Sequence, residues 1–155
     1  MRHVAGLIAA AAALAAGAAE AQQRSRPSDA KLFCHDLKRT LKAASYDDGF
    51  EHLERSRAAP PQFGFRPGAC HALQTSAAAT AMWRCYQTLA PESLALATLV
   101  AHTAACLPDA KREASGYHWE AVFSHESGRI RITERGGPRA KVGRIVTLTI
   151  EAPGL

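Results

Sequence analysis

The sequence predicts an α+β domain: two long helices packed on one face of an antiparallel sheet, with two disulfides. Three observations carry that prediction. Apolar residues recur at helical spacing in two stretches, Leu32 to Leu41 and Leu96 to Leu107. The last third of the chain instead alternates apolar and polar residues with period two. Four cysteines, Cys34, Cys70, Cys85 and Cys106, supply an even number for cross-linking. Helices and strands that segregate along the chain build two layers around one core.

Taken in order, residues 1–21 read as a cleavable secretory signal. Arg2 gives a basic start, Val4 to Ala19 is rich in Ala and Leu, and Ala19-Glu20-Ala21 places small residues two apart. The apolar run falls short of the ~20 residues a spanning helix needs. Removing it leaves 134 of 155 residues, one domain's worth. A chain of that size buries about two-thirds of its unfolded surface. Arginine outnumbers lysine and alanine is abundant, a composition that suggests a GC-rich bacterial genome, with the periplasm or the medium as the destination. Residues 22–28 are polar and read as a disordered linker, which leaves 29–155 as the single disulfide-stapled domain.

Ser28 sits where a helix N-cap belongs, with Asp29 in the first turn. Leu32, Phe33, Leu37 and Leu41 mark one helical face through about Ala44. Asp47-Asp48-Gly49 breaks the pattern, and Phe50 to Arg57 reads as a short helix with Glu51 and Arg55 at i,i+4. Three prolines and two glycines make Ala58 to Gly68 an extended connector. Residues 69–89 divide two ways. Ala77, Ala78, Ala79 and Ala81 favour helix by propensity, whereas Cys70–Gln74 and Met82–Tyr86 read as strands flanking a polar loop. The hairpin is preferred; with Cys70 facing Cys85, Leu73 falls opposite Met82 and Ala72 opposite Trp83. Pro91 and Glu92 suit the start of the next helix, whose face is Leu96, Leu99, Val100, Thr103 and Leu107, and Pro108 ends it. Tyr117 to Phe123, Ile130 to Ile132 and Arg144 to Glu151 then form a three-stranded meander.

Four cysteines allow three pairings. The layout favours Cys70–Cys85 within the hairpin and Cys34–Cys106 between the long helices. Closing the longer loop is worth roughly 4 kcal/mol by the chain-entropy argument, the shorter nearer about 3 kcal/mol. Cys34-His35 and Cys70-His71 suggest a zinc half-site. However, no C-x-x-C occurs and adjacent Cys-His is poor chelate spacing, so the sequence implies no metal or cofactor.

Functional candidates are few. The chain has no G-x-S-x-G, P-loop, H-E-x-x-H or EF-hand loop, and it reads as non-enzymatic. His118, Glu120, Ser124, His125 and Glu126 are groups suited to metal binding or acid/base work, though a solvated sheet face near a hairpin turn is the preferred reading. His102 reads as a helix residue near the core, and Asp47-Asp48 as a helix cap. Phe63-Gly64-Phe65 reads as packing over a sheet end, and Trp83, Trp119 and Phe123 as core.

Charge is the stronger signal. The net charge is +5, and Arg129, Arg131, Arg135, Arg139, Lys141 and Arg144 fall within sixteen residues against one acid, Glu134. Such a field attracts phosphate or carboxylate. The leading expectation is a small exported protein that binds an anionic envelope component through this basic meander. Lipopolysaccharide, anionic lipid or an envelope protein are the expected partners, and nucleic acid is not. One alternative is a metal-binding or hydrolytic protein using His118, Glu120 and His125. The other is an inhibitor or accessory subunit that docks through Pro60 to Gly68.

Overall fold

The computed structural model describes residues 29–75, 80–137, 140–141 and 143–153. The expected signal and linker, residues 1–28, lie outside the described residues, as does the loop joining the two hairpin strands.

Helix α1 spans Ala30–Ala43 and buries Phe33, Leu37 and Leu41. Its N-cap is Asp29 rather than Ser28: the Asp29 carboxylate accepts from the Lys31 amide at 2.9 Å. Leu32, expected on the apolar face, is exposed, and Asp36 is buried in its stead. That carboxylate accepts from the amides of Gln62 and Phe63, each at 2.9 Å, and so ties the proline-rich connector to α1. An anion satisfied by two backbone donors is a strong local constraint. Helix α2 is shorter than expected, Glu51–Arg55, and Asp48 caps it through the His52 amide at 2.9 Å.

Strands β1, Cys70–Thr75, and β2, Thr80–Gln87, form the hairpin in the expected register: Cys70 pairs with Cys85, Ala72 with Trp83 and Leu73 with Met82. Ala81, one of the residues that favoured helix by propensity, lies in β2 opposite Gln74. After a 3-10 turn at Glu92–Leu94, helix α3 runs Leu96–Cys106. Strand β3, Lys111–Arg112, was not expected. It precedes β4 (Glu120–His125), β5 (Gly128–Gly136) and β6 (Arg144–Glu151). Hairpin and meander join into one six-stranded antiparallel sheet ordered β1-β2-β6-β5-β4-β3, with the last meander strand between β2 and β5.

The register separates two faces. Trp83, Ile150, Ile130 and Phe123 are successive partners across the sheet, as are Cys85, Leu148, Ile132 and Ala121. All eight are buried, and they share a single apolar cluster with Phe33, Leu37 and Leu41 of α1 and Leu99 of α3. The opposite phase carries Arg84, Thr149, Arg131 and Val122 in one row, and Glu151, Arg129 and Ser124 in the next.

Both disulfides are the expected ones. Cys34–Cys106 joins α1 to the end of α3 across 72 residues with Cα atoms 5.3 Å apart, and Cys70–Cys85 staples β1 to β2. No helix among the described residues is long and apolar enough to cross a membrane.

Candidate functional site

Of the six cations between Arg129 and Arg144, the five among the described residues do not form one patch. Arg129 and Arg131 stand on the sheet phase opposite the core. Arg129 Nη2 donates to Glu113 Oε2 at 2.6 Å, and Arg131 Nε lies 3.6 Å from Glu120 Oε1. Glu113 is held further by the Ser124 hydroxyl. The hydrogen bond from Arg129, then that from Ser124, keeps the Glu113 carboxyl below its ordinary range, and Glu113 in turn raises Arg129. These two arginines are thus already answered by acids. Lys141 is exposed in the turn that follows β5, and Arg139 lies outside the described residues.

Arg135 and Arg144 belong to a different place. With His118, Trp119, Glu134 and Gly136 they line a cleft of about 690 Å³, whose other wall is Glu92 and Ala95 to Ala97 at the start of α3. That volume lies within the range of small-ligand sites. Glu134 is its keystone. Its Oε2 accepts from the Leu96 amide at 2.6 Å, supplying the helix with the cap that Ala95 lacks. Its Oε1 accepts from Arg144 Nε at 2.9 Å. Arg144 also reaches Glu92 Oε2 through Nη2 at 2.6 Å. Its side chain is only 12% exposed, while that of Glu92 is 82% exposed. Burial opposes the Arg144 charge, but its hydrogen bonds to Glu92 and Glu134 outweigh that cost and raise it above the ordinary guanidinium value.

Arg135 has no carboxylate partner among the described residues; its Cζ lies 5.1 Å from the centroid of Trp119. Trp119 in turn stacks on Tyr117, with centroids 4.8 Å apart and planes at 25°. The aromatic pair fixes the guanidinium over an apolar surface while leaving its donors open. Trp119 is therefore a half-buried cleft wall, not the core residue its strand phase suggested. Gly136 closes the rim: it has φ 74°, and a Cβ there would fall 2.2 Å from the Gly143 carbonyl oxygen. Only glycine admits that approach.

The histidine–carboxylate cluster is dispersed. His118 faces the cleft, Glu120 is engaged by Arg131 and Ser115, and His125 Nδ1 accepts from the Ser127 amide. Among the described residues, no group of three His, Cys, Asp or Glu side chains is placed to hold a metal ion. Phe63 and Phe65 are buried, so the connector turns its aromatic rings inward. His102 packs against Phe33 at 5.5 Å.

Sequence reasoning missed Glu92, Glu134 and Trp119 as site residues. One signal was available. Glu134 is in phase with Ile130 and Ile132, and Arg144 with Val146, Leu148 and Ile150, so an opposite charge pair ends both apolar stripes. No protein-family model matches this chain, nor does any curated protein or solved structure.

Proposed function

We propose that this is a small exported, non-enzymatic binding protein of the periplasm or the surrounding medium. It grips an anionic envelope component by a carboxylate or phosphate group in the cleft between β5, β6 and the start of α3. One observation carries the reading: Arg135 is a cation held over Trp119 at a concave surface, without an acid of its own among the described residues. Preorganised guanidinium groups suit bidentate recognition of planar anions. Arg129 and Arg131 add little to this grip, since Glu113 and Glu120 already pair with them. In this reading α1 and α3 lie together on the Ile130 and Leu148 side of the sheet, which leaves the Arg129 and Arg131 phase facing solvent. Two disulfides suit an oxidising compartment.

Co-sedimentation tests this directly. Purified protein is mixed with lipopolysaccharide, with anionic phospholipid vesicles and with isolated peptidoglycan. Binding to one of them should weaken about tenfold or more in Arg135→Ala, a change worth about 1.4 kcal/mol. Equal retention of the wild type and Arg135→Ala on all three would end the proposal.

A further inference from the structure

Arg144 has two acids where one would neutralise it. Glu134 is its permanent partner, because the same carboxylate caps α3 through Leu96. Glu92 has no such second anchor among the described residues. It sits on the 3-10 turn, its side chain is 82% exposed, and its tie to Arg144 is a single contact. Exposed ion pairs of this kind are weak and exchange readily with solvent ions.

We infer that Glu92 is a built-in competitor: its carboxylate occupies the Arg144 position that a ligand anion takes when it enters the cleft. Arg135, Arg144, Glu134 and Glu92 together carry no net charge. When Glu92 swings out to solvent, two arginines face one remaining acid, and the site is left with a single positive charge. The matching ligand group is therefore a monoanion, a carboxylate or a phosphate diester, rather than a dianion such as a terminal phosphate. Glu92, near the displaced position, repels the second charge of a dianion. The inference rests on the cleft being the binding site, and it adds the charge of the ligand and the residue that sets affinity.

The test uses simple anions and the intact domain. Acetate, dimethyl phosphate and sulfate are titrated into the wild type, Glu92→Gln and Glu92→Ala. The side-chain Nε–H resonances of Arg135 and Arg144 are followed by NMR, and the Leu96 amide serves as a control that Glu134 still caps α3. Both variants should lower the acetate or dimethyl phosphate midpoint at Arg144 by about fivefold, the upper worth of an exposed ion pair. Which of the two anions binds more tightly separates a carboxylate ligand from a phosphodiester. Sulfate should bind the wild type more weakly than either, and should gain most in the variants. Unchanged midpoints at Arg144 overturn the inference even if Arg135 responds and the binding proposal stands. A response at Arg144 alone, in the variants but not at Arg135, upholds Glu92 as competitor and removes Arg135 as the grip.

Discussion

Arg131 and Arg144 come from the same basic run, yet their phases on the meander send them to opposite situations. Arg131 falls in register between Val122 and Thr149, both buried, and its head lies near Glu120. Arg144 continues the stripe of Val146, Leu148 and Ile150 to the sheet end, where the core gives way to the start of α3. One arginine lies across a sheet face and is neutralised there. The other stands beside the start of α3 and helps to line the cleft. A charge count along the sequence treats them alike; strand phase does not.

The largest effect that could break this contrast comes from the Cys34–Cys106 bridge. It fixes the far end of α3 to α1, whereas the outer sheet phase is held by strand pairing and by the contacts of Glu113 and Glu120. Replacing both cysteines by alanine should cost roughly 4 kcal/mol, against about 3 kcal/mol for the Cys70–Cys85 pair, by loop length. Urea unfolding of the two double variants measures the order. If the cleft depends on the placement of α3, loss of Cys34–Cys106 should also weaken anion binding at Arg135, and loss of Cys70–Cys85 should not.

Next in size is Arg144 itself. Arg144→Met leaves Glu134 at 20% exposure with its cation gone, and Glu92 facing it. A cost of about 2 kcal/mol is expected, below the figure for a fully buried pair because Glu92 is in water. Arg131→Met should change stability far less, because its partner contact is long and half-exposed. Equal losses from the two variants, by thermal or urea unfolding, would erase the distinction between the two faces.

The same contrast explains what could be read from the chain. The hairpin register, both disulfides and the apolar phases of β5 and β6 were legible because each follows from local alternation or from cysteine geometry. The cleft was not, because it depends on where α3 begins relative to the ends of β5 and β6. Pro91 and Glu92 pointed to a helix start, but the 3-10 turn delays α3 to Leu96 and places Glu92 beside Arg144. Trp119 followed the core phase of Ala121 and Phe123, yet it precedes the first residue of β4 and lines the cleft. Strand β3 is two residues long and has no alternation to detect. Asp36 lay hidden among the polar positions of α1, since its partners are backbone amides 26 and 27 residues away.

The smallest effect concerns acid on the outer phase. Glu113 titrates below its ordinary 4.5 in the folded protein because Arg129, then Ser124, hydrogen-bond its carboxylate. A depressed folded value means that the carboxylate stabilises the fold above its ordinary pKa, and that this contribution fades as pH falls through the lower folded value. Urea midpoints for the wild type and Glu113→Gln should therefore differ slightly at neutral pH and converge on acidification below that ordinary value. Glu92→Gln offers the comparison across the molecule. Arg144 keeps Glu134 as its partner whether or not Glu92 is charged, so that variant should leave the acid profile of stability nearly unchanged. If Glu113→Gln showed no convergence, the Arg129 pair would not be formed in solution, and Arg129 would join Arg135 as an open cation. The basic run would then act as one continuous surface instead of two.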